Sequence, residues 1–143
     1  MIYHFKIHKD GNGFWAECLE LKGCHTQADS RKELNSNMVE ALNLYLDEPQ
    51  ESTVVLPLAK KVRKGRNIAE VMVDPRVAFS FYLRHLRLSK GLTQKQAAAL
   101  LGIKHLFSYQ RLESSKTANP ELVTIAQIKR VFPEFSLDDL LAA

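Results

Sequence analysis

The sequence predicts an α+β protein in which a small sheet-and-helix domain precedes an all-helical domain. Over residues 1–28 apolar and polar residues alternate, which is typical of half-buried strands, and helical spacing appears only afterwards. From residue 74 onward, five segments with helical periodicity are separated by short stretches that carry capping residues. These patterns divide the chain into a first domain at residues 1–58, a linker at residues 59–73 and a second domain at residues 74–143.

Three strands are predicted in the first domain. Tyr3, Phe5 and Ile7 alternate with polar residues, a second alternating run covers residues 14–19 after a glycine-containing turn, and a short third segment covers residues 24–28. The order is therefore β-β-β before the first helix.

One helix follows these strands. Ser30 and Glu33 have the spacing of a capping box, and Glu48-Pro49 ends the helix at about Asp47. Its apolar stripe is Leu34, Met38, Ala41, Leu42 and Tyr45. Two β-prone segments come next, residues 53–58 and 68–73, on either side of a basic run at residues 60–66. One or both segments should extend the sheet, and the basic run is interpreted as a solvated linker.

Composition and charge limit the function classes. No apolar run reaches the roughly 18 residues of a membrane span, and no signal-peptide pattern is present, so we expect a cytoplasmic protein without a membrane partner. Residues 1–50 carry five basic and eight acidic residues, whereas residues 74–143 carry ten basic and six acidic ones. This division favours a cationic partner for the first domain and a polyanion for the second.

No metal site or other cofactor is expected. The histidines and cysteines of the first domain lack the spacings of zinc sites, and no Gly-rich phosphate loop occurs. We interpret these residues as edge-strand histidines, an exposed loop histidine and a reduced, half-buried cysteine pair: His4, His8, His25, Cys18 and Cys24.

Three segments follow one another in the first domain: Phe14-Trp15-Ala16-Glu17-Cys18, then Leu21-Lys22-Gly23-Cys24-His25-Thr26-Gln27-Ala28, then a helix that ends at Leu44-Tyr45-Leu46. In this order they resemble the HicB antitoxin family over residues 2–48. The resemblance implies a partial RNase H-like fold without catalysis. It also implies a partner, a HicA-type toxin, which is a small mRNA-cleaving ribonuclease whose active site the domain covers.

The residues also argue against an enzyme. RNase H chemistry needs several carboxylates that converge on metal ions, and the predicted strands offer only Asp10, in a turn, and Glu17. For the toxin contact we select an aromatic residue and two nearby acids, Trp15, Glu17 and Glu20, although Trp15 fits the core equally well.

The helices of the second domain are bounded by cap signals. Asp74-Pro75 begins the first, which ends at Lys90-Gly91, and Thr93 opens a second capping box. A third helix is expected at about residues 105–114, a fourth from residues 119–121, and a short fifth after Ser136. The predicted inward residues of helices two to five are Ala97, Ala98, Leu100, Leu101, Tyr109, Leu112, Leu122, Ile125, Ile128, Val131, Leu137, Leu140 and Leu141.

The run Leu92-Thr93-Gln94-Lys95-Gln96-Ala97-Ala98-Ala99-Leu100-Leu101-Gly102-Ile103 is followed by Tyr109-Gln110-Arg111-Leu112-Glu113. Together they resemble the Cro/C1-type (XRE) helix-turn-helix over residues 76–141. The resemblance implies that the third helix lies in the major groove of DNA.

The resemblance also implies residue roles. Gln94 binds a phosphate at a helix N-terminus, and Lys95 pairs with a phosphate nearby. Arg111 is the best candidate for a bidentate guanine contact, and Glu113 holds the helix ends together. The remaining DNA-facing candidates are Lys104, His105, Phe107 and Ser108. The basic residues Arg84, Arg87 and Lys129 are expected on a solvated face.

One departure from the pattern concerns the turn, which is one residue longer than the commonest spacing and brings Leu106 and Phe107 to positions usually held by polar base-readers. Either the pair contacts thymine methyl groups, or it packs inside and fewer base contacts remain. We favour an inward Leu106 and an exposed Phe107.

These observations lead to two functional hypotheses. In the first, the protein is an antitoxin that neutralises a HicA-type toxin and represses its own operon, as a homodimer or higher homo-oligomer on a palindromic operator. In the second, it is a stand-alone helix-turn-helix regulator whose first domain senses a ligand or dimerises. A nuclease is disfavoured by the lack of carboxylates.

Overall fold

The computed structural model describes residues 1–61 and 64–142 and divides the chain into two compact units. The first unit consists mainly of Met1–Leu46 and Leu56–Asp74, and the second consists of Asp47–Val55 and Pro75–Leu141. The predicted α+β class is confirmed, since the described residues form one four-stranded antiparallel sheet and six helices.

The first unit is built on strands β1 (Ile2–Asp10), β2 (Gly13–Cys18), β3 (His25–Ala28) and β4 (Ile68–Met72), with helix α1 (Arg31–Leu46) after β3. The strands are ordered β3-β2-β1-β4, and every neighbouring pair is antiparallel. The predicted strand and helix order of this unit is confirmed, and of the two candidate segments only residues 68–72 join the sheet.

Alternation in the strands separates the two faces of the sheet. Tyr3 and Phe5 are fully buried, whereas Lys6 between Phe5 and Ile7 is exposed. The buried face packs on α1, which contributes Leu34, Met38, Leu42 and Leu46. Leu34, Met38 and Leu42 belong to the predicted apolar stripe and are buried as expected. Leu46 was not predicted but is buried, whereas the predicted Tyr45 is half-buried.

In the capping box of α1, one of the two hydrogen bonds comes from a different backbone N–H than predicted. The backbone N–H of Glu33 donates to Ser30 Oγ at 3.2 Å, as predicted, but the Glu33 carboxylate accepts from the N–H of Asp29, one residue before the serine. Both bonds satisfy backbone donors at the helix start.

The predicted strand at residues 53–58 is wrong. These residues have no strand conformation, and Val54 and Val55 are exposed. Pro57 has no N–H to donate to a ladder, and β1 already pairs with β2 and β4 on its two sides. Of the predicted basic linker, Lys60, Lys61, Lys64 and Arg66 are exposed, while Val62 and Arg63 lie outside the described residues.

The second unit holds helices α2 (Pro75–Ser89), α3 (Gln94–Leu100), α4 (Leu106–Leu112), α5 (Leu122–Val131) and α6 (Leu137–Leu141). The five helices were predicted. Thr93 and Gln96 form the expected capping box of α3, and Gly102, with a φ of 71°, reverses the chain between α3 and α4. α5 begins later than expected, with Glu121 as its N-cap residue.

Four apolar residues predicted to be inward in this unit are exposed: Leu100, Leu122, Leu137 and Leu141. Leu100 lies in the last turn of α3 and Leu122 in the first turn of α5, and both have more than half of their surface accessible. Helical spacing alone does not reveal that a short helix presents only part of its apolar stripe to the core, which here includes Ala97, Tyr109 and Ile128. In α6 only Leu140 is buried. Among the described residues, no helix is long and apolar enough to cross a bilayer.

Candidate nucleic-acid interface and open sheet face

A buried carboxylate ties together the helices of the second unit. Glu113 directly follows α4, and its carboxylate accepts from Arg87 Nε at 2.6 Å, from Arg87 Nη2 at 3.1 Å and from the Tyr109 hydroxyl. Glu113 is 1% exposed. The predicted structural role of Glu113 therefore takes the form of a bidentate buried ion pair.

The expectation that Arg84 and Arg87 lie on a solvated face was wrong, since they are 4% and 5% exposed. Arg84 donates from Nη2 to the Glu113 carbonyl at 3.2 Å and from Nη1 to the Glu48 carbonyl at 3.0 Å. The two arginines lie three residues apart on α2, so both reach the same face of the helix. Lys129 is exposed, as expected, and its Nζ donates to the carbonyls of Pro133 and Phe135.

The ionisation of this cluster is set by burial and by Glu113. Burial raises the pKa of Tyr109 far above its usual value, and the neighbouring Glu113 carboxylate adds to the shift. For Arg87, burial opposes the charged form, but its hydrogen bonds to Glu113 prevail and raise its pKa. The Tyr109 phenol is thus held neutral and the Arg87 guanidinium is held charged in a buried site.

We expect the second unit to lose stability at alkaline pH through Tyr109. The unfolded chain releases the phenol proton near pH 10 and the folded chain keeps it, so this group's contribution is complete below pH 10 and falls by about 1.4 kcal/mol per pH unit above it. Urea unfolding at a series of pH values measures the slope. In Tyr109→Phe the slope should be shallower, and an unchanged slope would contradict this explanation.

Three glutamine side chains form a network beside the ion pair. Gln94, the first residue of α3, donates from Nε2 to Glu113 Oε2 and to Gln50 Oε1, both at 3.0 Å. Gln110 Nε2 donates to Gln94 Oε1 at 3.2 Å, and Gln50 Nε2 donates to the Gln110 carbonyl at 3.2 Å. A carboxylate only accepts, so Glu113 fixes the orientation of the Gln94 amide and, through it, those of Gln50 and Gln110.

Gln50 is a member of this site that the sequence did not indicate. It lies in residues 47–55, which belong to the second unit, where Ser115 also donates to Asp47 at 2.7 Å. Both amide hydrogens of Gln94 are used within the protein, so a phosphate contact from Gln94 requires exchange of one of these bonds.

The outer side of α4 is exposed and carries mixed chemistry. Phe107 is 68% exposed and Leu106 is 41% exposed. The Arg111 guanidinium carbon lies 5.9 Å from the Phe107 ring centroid, so the two side chains are neighbours. The exposure of Phe107 was predicted, whereas the expected inward position of Leu106 was wrong. The other exposed residues of the predicted interface are Lys95, Lys104, His105 and Ser108.

In the first unit, the sheet face opposite α1 is partly open. We call this the open sheet face and define it by the cross-strand neighbours Lys6, His8, Trp15, Glu17, His25 and Gln27. The rings of His8 and Trp15 stack with centroids 4.0 Å apart, and His8 Nε2 lies 3.3 Å from a Glu17 carboxylate oxygen. Trp15 is half-buried, so part of its indole is available at the surface.

Glu20 does not share the open sheet face. Its side chain is 2% exposed, and it accepts from the backbone N–H of His4 at 2.9 Å and from that of Lys60 at 3.2 Å. His4 Nδ1 also lies 3.0 Å from Glu20 Oε2. The carboxylate therefore joins the start of β1 to the segment that follows Pro57.

A groove of about 620 Å³ adjoins the open sheet face, and its walls include Trp15, Glu17, Leu19 and His25. Cys18 and Cys24 also line the groove, and both are buried and not joined in a disulfide. A hydrogen bond from Cys24 lowers the pKa of Cys18. Among residues 1–61 and 64–142, no three His, Cys, Asp or Glu side chains are grouped so that they could hold a metal ion.

Comparison with known proteins gives two curated relatives. A UPF0150 protein from Synechocystis sp. is 38% identical over 70 residues, a match that covers 41% of this chain and 87% of the relative. A UPF0150 protein from Helicobacter pylori is 38% identical over 61 residues, which covers 43% of this chain and 83% of the relative. No family profile matches the sequence. Because these relatives are matched over most of their length, the chain belongs to the UPF0150 family.

Proposed function

We propose that the protein is an antitoxin that binds and neutralises a HicA-type ribonuclease and represses its own operon. The toxin-binding half rests on one observation above all, membership of UPF0150, which is a HicB-like family. The DNA-binding half rests on the sequence of α3, turn and α4 and on the exposed basic side chains beside them. The protein acts in the cytoplasm as a homodimer or higher homo-oligomer.

In this proposal the open sheet face is the toxin-binding surface. It presents part of the Trp15 indole, which stacks on the His8 ring. The Glu17 carboxylate lies 3.3 Å from His8. Rigid aromatic anchors carry much of the energy of protein interfaces, and the acidic balance of residues 1–50 speeds encounter with a basic ribonuclease. Glu20 contributes to toxin binding only indirectly, because its carboxylate accepts hydrogen bonds from the backbone N–H groups of His4 and Lys60 inside the unit.

The first unit is proposed to have a partial RNase H-like fold and to lack catalysis. Its strands carry three carboxylates, Asp10 at the end of β1, Glu17 on β2 and Glu70 on β4, and among the described residues no three acidic, His or Cys side chains converge as two-metal chemistry requires. Cleavage of RNA by the purified chain alone with Mg²⁺ would contradict this part.

DNA binding is proposed to use α4 as the recognition helix. Arg111 and Ser108 face base edges, and Lys95, Lys104 and His105 lie along the phosphates. Gln94 reaches a phosphate by giving up its bond to Gln50, and Glu113 and Arg87 hold α4 in place from behind. Two copies on a palindrome supply the contact area that one small helical unit lacks.

Growth of cells tests the toxin-binding half. Expression of the small basic ribonuclease encoded beside this gene should stop growth, and co-expression of the full chain should restore it. Glu17→Lys, which puts a positive charge on the open sheet face, should weaken the rescue, whereas Glu40→Lys, at an exposed position of α1, should not. Equal rescue by both variants would contradict the assigned surface, and no rescue by the wild type would favour a stand-alone regulator.

Fluorescence anisotropy with the DNA upstream of the gene tests the other half. Arg111→Ala should weaken binding by about 10- to 100-fold, as expected for loss of a bidentate base contact. Arg130→Ala removes another exposed arginine, from the last turn of α5, and should change affinity little. If the two variants bind alike, α4 does not read the DNA.

A further inference from the structure

We propose that Phe107 and Arg111 together read a two-part element of the operator: the methyl group of a 5-methylpyrimidine, thymine in unmodified DNA, beside a guanine. The inference rests on the proposed DNA binding and adds to it the bases that are recognised. It follows from the exposure of Phe107, its distance from Arg111 and the polar surroundings of both side chains.

The exposure of Phe107 calls for a partner that is apolar but small. Phe107 is the second residue of the seven-residue α4, and its ring is 68% exposed. Its exposed neighbours are one apolar residue, Leu106, and the polar residues His105, Ser108 and Arg111. A protein partner with a large apolar surface is poorly matched to this small and mostly polar border. A base methyl group in the major groove offers a small apolar contact within a polyanion.

The spacing of the two side chains limits where the two bases lie. Phe107 and Arg111 are four residues apart on α4, so they project from the same side of the helix. The guanidinium carbon lies 5.9 Å from the ring centroid. Successive base pairs are about 3.4 Å apart along the duplex, so the methyl group and the guanine lie within one or two base-pair steps.

The ring also prepares Arg111 for its contact. A guanidinium near an aromatic face is held by the ring quadrupole and keeps its N–H groups free at its edge. Those edge donors match the O6 and N7 acceptors of guanine. The apolar residue at this position of α4 therefore serves recognition twice, as a methyl contact and as a support for Arg111.

The test uses the full chain and an operator found by selection from random duplexes. Each thymine is replaced in turn by deoxyuridine, which removes only the methyl group, and each guanine by 7-deazaguanine, which removes N7. For the wild type, one deoxyuridine should weaken binding about fourfold, the value expected for one apolar carbon. The thymine that gives this effect should lie within two base-pair steps of a guanine. Replacing that guanine by 7-deazaguanine should weaken DNA binding by the wild type but not by Arg111→Ala.

Two variants separate recognition from general effects. Phe107→Ala should bind thymine and deoxyuridine operators equally, while Leu122→Ala, which removes an exposed apolar side chain from α5, should keep the fourfold preference. DNA binding without a deoxyuridine effect, or a preference that survives in Phe107→Ala, overturns the inference alone. Absence of any selected duplex overturns both the inference and the proposed DNA binding.

Discussion

Replacing Glu113 with alanine is expected to destabilise the second unit by about 3–5 kcal/mol, because Arg87 would remain buried without its counter-charge. In the folded chain the Arg87 guanidinium makes two hydrogen bonds to Glu113, and both side chains are almost inaccessible. Tyr109 and Gln94 would lose an acceptor as well. Urea denaturation followed by circular dichroism measures the loss.

A matched control separates the buried ion pair from acidic residues in general. Glu51→Ala removes an exposed glutamate of the same unit and should change stability by less than about 0.5 kcal/mol. The double variant Arg87→Met/Glu113→Leu also removes the Arg87 charge and should recover part of the stability lost in Glu113→Ala, while Arg84, which lies 3.8 Å from Glu113, keeps its charge. If the double variant is less stable than the single one, the unpaired charge is not the cause of the loss.

Replacing Trp15 with alanine is expected to weaken toxin binding by at least about 2 kcal/mol, which is roughly 30-fold in Kd. The indole stacks on His8 and is half-buried, so it is a rigid element of the open sheet face before any partner binds. Because little side-chain freedom is lost on binding, its contact area contributes efficiently to affinity. Isothermal titration of the toxin with the full chain gives the change in Kd.

The comparison needs variants that preserve the sheet. Trp15→Phe keeps an aromatic ring beside His8 and should lose less affinity than Trp15→Ala. Val39→Ala truncates an exposed apolar residue of α1, on the other side of the sheet, and should bind as the wild type does. An effect of Val39→Ala equal to that of Trp15→Ala would move the toxin-binding surface to α1.

Local signals in the sequence were sufficient for most of the fold. Alternation separates Tyr3 and Phe5 from Lys6, and the two residues of the Thr93–Gln96 capping box are only three residues apart, so both features are readable without the tertiary structure. The segment at residues 53–58 shows the opposite case. It is β-prone, but strand formation requires a partner strand within reach, which no local pattern reports.

The buried polar network was the least predictable part. Arg84 and Arg87 look like surface residues in sequence, because the partner that makes their burial favourable, Glu113, comes more than 25 residues later. Gln50 precedes its partner Gln94 by 44 residues and lies in a segment without any motif. The one available signal was the spacing of Arg84 and Arg87, which are three residues apart among apolar residues of α2.

The exposed side of α4 was predicted in part. The motif selected Arg111 as a candidate for base contact, and the structure shows this residue exposed on α4. The longer turn left the directions of Leu106 and Phe107 open, because one extra residue rotates the start of the helix by about 100°. Only the tertiary structure shows that both are exposed and that Phe107 neighbours Arg111.

The most direct measurement is a titration of the purified full chain into RNA cleavage by the small basic ribonuclease encoded beside this gene, with binding measured in the same samples. We expect cleavage to stop at a fixed ratio of the two proteins, with a Kd on the order of nanomolar. Cleavage that continues without formation of a complex, or the absence of such a ribonuclease gene, would contradict the antitoxin function. The protein would then be a DNA-binding regulator whose first unit has another role.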